Sequence, residues 1–204
     1  MNKKKGYYLG RFQPFCLHHL DKVREILNSY PDIDLTIGVA GWNGERSRQN
    51  FLEGNEAAEI VKLTLKEYLL EGKVGVVVID LFPGRTIEET LKDFLNPNLL
   101  KGPPVVFFSG SEKTLSALRC LKESGLLFDI CDLHDQEMGG SPRATQVRES
   151  LIRETGLWRI MVAPSAHEYL LQFRQRLLEL PDGEKRPWAN QPETFSQGKG
   201  LERG

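Results

Sequence analysis

Cysteine is scarce in this chain, and its charges of opposite sign nearly cancel. Its 3 cysteines, at positions 16, 120 and 131, are odd in number and lack Cys-x-x-Cys spacing, which argues against a disulfide framework and a zinc site. The 27 basic and 28 acidic residues give a net charge of −1, so no general surface for nucleic acid is expected. Any basic site must therefore be local.

Long apolar runs are also missing. No run approaches the roughly 20 residues that a membrane-spanning helix needs. The basic start Met-Asn-Lys-Lys-Lys-Gly precedes only a short apolar stretch, which is not the pattern of a secretory signal. We therefore expect a cytoplasmic protein without a membrane partner.

The chain does contain a regular alternation of apolar strand-like runs with amphipathic helical patterns. This alternation predicts one α/β domain over residues 1–180, built as a Rossmann-like, doubly wound sheet of five parallel strands. Residues 74–80 are continuously apolar, which is typical of a strand buried on both faces. Residues 181–204 lack periodicity and are predicted to form a flexible tail without a packed role. The predicted strands are 6–10, 33–40, 74–80, 105–109 and 127–133, and the predicted helices are 18–30, 54–71, 86–95, 112–124, 143–155 and 165–180.

The most informative segment joins the first strand to the first helix. Gly10 ends the strand and Pro14 fixes a turn before the helical pattern begins. Ligands of open α/β sheets bind beyond the carboxyl ends of the strands, and a helix N-terminus there attracts phosphate. The permanently charged Arg11 and the imidazoles of His18 and His19 add donors to this junction. The segment therefore predicts a nucleotide-phosphate site.

The sequence Gly10-Arg11-Phe12-Gln13-Pro14-Phe15, followed by His19 and a helix, resembles the nucleotidylyltransferase superfamily. Within it, the chain is most similar to the archaeal-type nicotinamide-mononucleotide adenylyltransferases, which begin Gly-Arg-(Phe/Met)-Gln-Pro-Phe-His-x-Gly-His-Leu. The resemblance implies transfer of AMP from ATP to a phosphate-bearing acceptor, with Mg²⁺ and release of pyrophosphate. It also implies small-molecule nucleotide substrates and, because family members often assemble, a homo-oligomer as one possible state.

The resemblance also implies roles for individual residues. His19, Arg11 and Arg148 are expected to act in catalysis by holding the triphosphate and neutralising its charge. No metal site made by protein ligands is expected. The positions with implied nucleotide contacts are Gly10, Arg11, Phe12, Gln13, His18, His19, Arg48, Gly110, Arg143, Thr145 and Arg148.

A second match lies near the end of the predicted sheet. Residues 141–148 resemble the family's Ile-Ser-x-Thr-x-(Ile/Val)-Arg, which opens a helix over the ATP phosphates. Thr145 and Arg148 fit this pattern, and Arg143 replaces the Ser. Two arginines near a helix N-terminus make a credible anion site.

Two shorter segments complete the resemblance. Residues 46–56 resemble the loop Arg-Asp-Pro-Phe-Thr-x-Gly-Glu-Arg, which places Arg48 on the arginine that reaches the phosphates. Gly110, within residues 108–111, matches the Gly of a Ser-Gly-Asn segment near the nucleotide. Trp158 resembles a Trp that precedes the last helix of the family, and we interpret it as structural.

Two positions of the first motif are changed. Cys16 stands where the family has its first His, and His18 stands where it has Gly. A thiol is a poor donor to phosphate, and we interpret Cys16 as a small buried residue. His18 either crowds the nucleotide or supplies the missing donor, and the sequence leaves both open. A non-catalytic nucleotide-binding homologue is therefore an alternative function.

The identity of the acceptor is the property that the sequence determines least. The family has a Trp after its third strand that stacks on nicotinamide, whereas this chain has Ile87 in that region and Phe82 as the nearby aromatic. Nicotinamide mononucleotide, giving NAD, is the leading acceptor, and transfer of an adenylyl or cytidylyl group to a different phosphorylated acceptor is the alternative. Trp42 stacks on a base or packs over the sheet edge, two equal interpretations. His167 is interpreted as a surface residue.

Overall fold

The computed structural model describes residues 3–95, 104–133 and 143–182. Its strands are β1 Lys4–Gly10, β2 Ile33–Trp42, β3 Val74–Leu81, β4 Val105–Ser109 and β5 Asp129–Asp132. They form one sheet in the order β3-β2-β1-β4-β5, and every pairing is parallel. The predicted five-stranded parallel sheet is confirmed.

Helices connect the strands and cover both faces of the sheet. Within the described ranges, no helix is both long and apolar enough to cross a membrane. The helices are α1 Leu17–Ser29, α2 Gly54–Thr64, α3 Lys66–Leu70, α4 Ile87–Phe94, α5 Glu112–Glu123, α6 Arg143–Arg153, α7 His167–Leu171 and α8 Arg174–Glu179, with short 3₁₀ turns at Arg48–Asn50, Leu157–Ile160 and Pro164–Ala166.

The central strands divide the core into two layers because successive side chains of a strand point to opposite faces. Tyr7 and Leu9 of β1 pack with Phe107 of β4 against α4 and α5. Tyr8 and Phe108 belong to the opposite layer, which packs against α1, α2, α6, α7 and α8. Burial of each such side chain stabilises the fold by about 1.5–3 kcal/mol. The doubly wound architecture predicted from the alternating pattern is thereby confirmed.

The prediction that residues 74–80 are buried on both faces holds for Val74 and Ile79, which belong to opposite core layers, but not for the three valines between them. Val76, Val77 and Val78 are only half-buried, and among the described strands β3 pairs with β2 alone. The strand therefore lies at an edge of the described sheet, where one side has no neighbouring strand. A continuous apolar run predicts a strand, but it does not separate an edge position from a central one.

Two predicted helices are interrupted. The helix expected over residues 54–71 breaks at Leu65, directly after Thr64 donates its hydroxyl to the carbonyl of Ile60. The helix expected over residues 165–180 becomes a 3₁₀ turn followed by α7 and α8. Here the N–H of Phe173 donates to the carbonyl of Leu170, three residues back, which tightens the turn between the helices.

Trp158 and His167 form a packed pair. Trp158 is buried, and the His167 ring lies edge-on to it with 4.9 Å between the ring centroids. The Nε2 atom of His167 is 3.0 Å from the carbonyl of Val162. The structural interpretation of Trp158 is confirmed, and the surface interpretation of His167 is wrong because its ring is partly buried in this contact.

Candidate nucleotide site

The strand order places a topological switch point between β1 and β4. From β1 the chain runs through α1 to β2, and from β4 it runs through α5 to β5 on the opposite side. Such a divergence opens a crevice beyond the carboxyl ends of the two strands. The Ser109 hydroxyl donates to the carbonyl of Leu9 and accepts from the N–H of Ser111, both at 3.2 Å. Gly110 therefore lies where the two strand ends are joined.

The loop after β1 folds tightly over its own aromatic residue. A Cβ at Gly10 would lie 2.7 Å from ring atoms of Phe12, so this position favours glycine. Phe12 has a φ of 48° and is 4% exposed. Its ring contacts Tyr8, Phe15 and His19 with centroid separations of 5.1–5.3 Å. The side chain of Phe12 therefore supports the loop from the core side.

Gln13 holds a second loop against the first. Its side chain, 4% exposed, donates from Nε2 to the carbonyl of Leu52 at 2.9 Å and accepts at Oε1 from the Leu52 N–H at 3.0 Å. This two-bond contact satisfies both polar groups of one peptide position. The structure therefore places the Gln13 side chain in a loop-to-loop contact.

His19 is oriented by the residue that begins its helix. Cys16, which is 1% exposed, donates its backbone N–H to Nδ1 of His19 at 3.0 Å. The Cys16 Sγ atom is 3.3 Å from the same nitrogen. Because Nδ1 accepts a hydrogen bond, the neutral ring carries its proton on Nε2. The interpretation of Cys16 as a small buried residue is confirmed, and its N–H fixes the His19 tautomer.

Basic side chains from two parts of the chain lie around this loop. Arg11 donates to Oδ1 of Asn50 at 3.2 Å. Arg148 of α6 donates to the carbonyl of Gln13 and to the hydroxyl of Thr145. We call the loop and helix start from Gly10 to His19, with Thr145 and Arg148, the basic junction. The half-buried His18 lies in it, 5.9 Å from His19 between ring centroids.

Two other predicted phosphate-binding residues are placed differently. The guanidinium of Arg48 pairs with Asp182, and its backbone N–H donates to the carbonyl of Pro181 at 3.1 Å. Arg48 therefore lies against the end of α8, and the first two residues of the predicted tail are in contact with it. Arg143 begins α6, but its side chain lies outside the described residues, as do Ser141 and Pro142.

A cleft of about 640 Å³ adjoins the basic junction, between the sheet and helices α4 and α5. Its floor includes Leu9, Gly38 and Ile79 of the three strands β1, β2 and β3. This volume lies within the range of about 300–1,000 Å³ that small-molecule sites occupy. We call it the sheet cleft. Gly10 and Arg11 line it as well, so the cleft and the basic junction share two residues.

The wall of the sheet cleft at the start of α4 is fixed by local hydrogen bonds. The Thr86 hydroxyl accepts from the Glu89 N–H at 3.0 Å, and the Glu89 carboxylate accepts from the Thr86 N–H at 2.8 Å. These bonds to Thr86 lower the pKa of Glu89. The hydrogen bond to Asp93 raises the pKa of Arg85, which also lines the cleft.

Several residues of the sheet cleft were not predicted from the sequence. Arg85 and Lys113 are single polar residues without a motif around them. The sequence does contain one indication of the cleft floor. Gly38 and Ala40 are small residues at alternate positions of one strand, and both line the cleft. Small residues on one face of a strand leave room for a ligand.

The chain is similar to a curated adenylyltransferase over most of its length. The nicotinamide-nucleotide adenylyltransferase of Sulfurisphaera tokodaii is 25% identical over 173 residues, which are 83% of this chain and 92% of that protein. The resemblance to the nucleotidylyltransferase superfamily is confirmed. No protein-family model matches the chain.

Solved structures share the fold of this chain. A bifunctional NMN adenylyltransferase/ADP ribose pyrophosphatase from Francisella tularensis matches with a TM-score of 0.61 and 15% identity, over 87% of this chain and 53% of that one. NadR protein in complex with NAD and AMP-PNP matches with a TM-score of 0.60 and 15% identity, over 82% of this chain and 46% of that one. The chain thus spans about half the length of these structures, and the likeness shows the fold.

Proposed function

We propose that this protein transfers AMP from ATP to nicotinamide mononucleotide, giving NAD and pyrophosphate. The observation that carries the proposal is the basic junction, where Arg11, His19 and Arg148 surround one loop at the switch point. The name of the Sulfurisphaera relative supports the same reaction. The neighbouring NadR structure, which holds NAD and AMP-PNP, supports nucleotides as the ligands.

The reaction needs positioning and charge neutralisation more than a strong base. An ionised oxygen of the acceptor phosphate attacks the α-phosphorus of ATP, and the bond from that phosphorus to the bridging oxygen breaks. Negative charge develops on the departing pyrophosphate. The guanidinium groups of Arg11 and Arg148 and the Nε2–H of His19 stabilise that charge, because preorganised donors stabilise it most where water is excluded.

Mg²⁺ is proposed to arrive as the ATP complex, held mainly by the phosphates, and to neutralise part of their charge. The described residues contain no group of three or more His, Cys, Asp or Glu side chains placed to hold a metal ion. The chain's own part is then to position the phosphates with arginine and imidazole donors. The cytoplasmic location and the homo-oligomer stay predictions.

The test follows both products in one reaction. The purified chain is incubated with ATP, Mg²⁺ and nicotinamide mononucleotide, and NAD and pyrophosphate are measured together. We expect equal amounts of the two products, and none without the acceptor. Arg11→Ala removes one charged donor from the junction and is expected to lower kcat/KM about 100-fold.

The matched control is Arg24→Ala, which removes an exposed arginine of α1 that pairs with Asp21. This variant is expected to keep the wild-type rate. A folded protein that binds ATP but makes neither product with this acceptor would contradict the proposal. A panel of other phosphorylated acceptors would then separate a different transferase from a binding-only homologue.

A further inference from the structure

Trp42 closes the C-terminal end of the sheet cleft. Gly38, Ala40 and Trp42 occupy alternate positions of β2, so their side chains lie on one face of the sheet, and all three line the cleft. The two small residues leave the floor open, and the indole follows them at the strand end. Among the described residues that line the cleft, Trp42 is the only aromatic one.

The indole of Trp42 is held in place by its own loop. Its Nε1–H donates to the carbonyl of Glu45 at 3.0 Å. A Cβ at Gly44 would lie 2.6 Å from two carbon atoms of the indole, so the ring packs directly over the Gly44 backbone. The polar atom of the side chain is therefore used within the loop. A ring fixed in this way loses little conformational entropy when a ligand packs against it.

We propose that Trp42 stacks on the ring of the acceptor nucleotide, which makes it a specificity-determining residue of this chain. The proposal rests on the function proposed above. The resemblance described above implies an aromatic residue after the third strand, and this chain has Ile87 in that region. Ile87 lines the same cleft. A pyridinium ring is attracted to the π-face of an indole more strongly than to other aromatic rings. Glu88 is the one carboxylate among the described residues that line the cleft, and it complements a positively charged ring. The cations Arg11, Arg85 and Lys113 line the same cleft and complement the phosphate of the nucleotide.

The experiment compares Trp42→Leu and Trp42→Phe with the wild type. KM and kcat are measured for nicotinamide mononucleotide and for ATP, and the Kd of nicotinamide mononucleotide is measured by calorimetry. For Trp42→Leu we expect KM and Kd of the mononucleotide to rise about 10-fold, with the KM of ATP within about twofold. Trp42→Phe keeps a ring face and should fall between the two.

Two controls separate stacking from a general effect on the loop. Phe82→Leu removes an exposed aromatic residue at the same end of the sheet that does not line the cleft, and it should change neither constant. Reduced nicotinamide mononucleotide has an uncharged ring, so Trp42→Leu should weaken its binding less than it weakens binding of the oxidised form.

The outcomes distinguish this inference from the proposed function. If the wild type makes NAD and Trp42→Leu keeps KM and Kd within about twofold, the role of Trp42 is wrong and the function stands. If the wild type binds the mononucleotide but makes no NAD, and Trp42→Leu binds it more weakly, the stacking role stands and the transfer reaction is wrong. A wild type that neither binds the mononucleotide nor makes NAD overturns both.

Discussion

The basic junction and the sheet cleft lie side by side, yet they are built in opposite ways. The junction is mostly one continuous segment, held by hydrogen bonds that reach Asn50, Leu52 and Arg148. The cleft draws single residues from three strands and two helices, and its floor is made by small and apolar side chains. The proposed phosphate contacts are thus concentrated in a motif, whereas the residues of the proposed acceptor cleft are dispersed along the chain.

The largest expected effect tests whether the junction carries the chemistry. His19→Ala removes the Nε2–H donor while leaving the Cys16 N–H at the helix start. We expect kcat to fall about 100-fold or more, as for other preorganised donors to developing charge, with little change in the KM of the acceptor. Steady-state kinetics with both substrates measures this split. His167→Ala, which removes an imidazole packed against Trp158, is the control for loss of a histidine.

The next effect decides between the two interpretations of His18. Its ring is half-buried beside His19, and we expect it to supply the donor that Cys16 does not. His18→Ala should then lower kcat about 10-fold, since a side chain that donates a proton or hydrogen bond in the transition state contributes at least that much to the rate. His18→Asn retains an N–H donor and should recover part of the rate. A faster His18→Ala enzyme would show that the ring crowds the nucleotide.

The sequence predicted most of the fold because its signals are local. Apolar runs and helical periodicity located all five strands within a few residues. The pattern did not show that β3 lies at an edge, since neighbouring strands are set by topology. Similarly, breaks at Leu65 and near Phe173 depend on hydrogen bonds within the turn and on packing, which an apolar period does not encode.

The candidate site was predicted in part for the same reason. Arg11, His19, Thr145 and Arg148 were predicted as site residues because each belongs to a motif whose order along the chain resembles the family's, and the structure brings them to one loop. The motif also suggested Gln13 as a ligand contact, whereas its amide holds Leu52. Arg48 lies against Asp182, a partner 134 positions away that no local pattern could indicate.

A third prediction concerns the hydrogen bonds that set the junction apart from the cleft. Gln13→Ala leaves a buried N–H and a buried carbonyl of Leu52 without their partner. We expect the free energy of unfolding to fall by about 1–3 kcal/mol, measured by urea denaturation. Asn43→Ala is the matched control, because it removes an amide whose bond to Asp80 is exposed. Its cost should stay within about 0.5 kcal/mol, and equal losses in the two variants would contradict the assignment.

The smallest effect concerns the wall of the sheet cleft. Thr86→Val removes the cap of α4 and should lower the free energy of unfolding by about 1 kcal/mol at neutral pH. The pKa of Glu89 is lowered in the folded state, so its ionised carboxylate stabilises the fold at pH values above the ordinary pKa of 4.5. This stabilisation is lost as the pH falls through the folded pKa. The backbone N–H of residue 86 still binds this carboxylate in Thr86→Val, and only the bond from the Thr86 hydroxyl to Glu89 Oε2, at 3.2 Å, is lost. The difference from wild type should therefore shrink below pH 4.5 by the share that the hydroxyl contributes, measured in urea titrations.

Glu89→Gln serves as the control for this pH dependence. It removes the titrating carboxylate but retains an oxygen that accepts a hydrogen bond. The difference between Thr86→Val and wild type, measured again in the Glu89→Gln background, should not change across the same pH range. A difference that still shrinks in acid would assign the effect to another carboxylate.

The contact between Gln13 and Leu52 also makes one amide proton a reporter of motion. Most N–H groups in surface loops exchange with solvent readily, but the Leu52 N–H is held by a buried side chain. Its exchange with deuterium requires the second loop to lift away from the first. Slow exchange at this single position, outside any helix or strand, would therefore record how often the two loops separate, and a bound nucleotide that holds them together would slow it further.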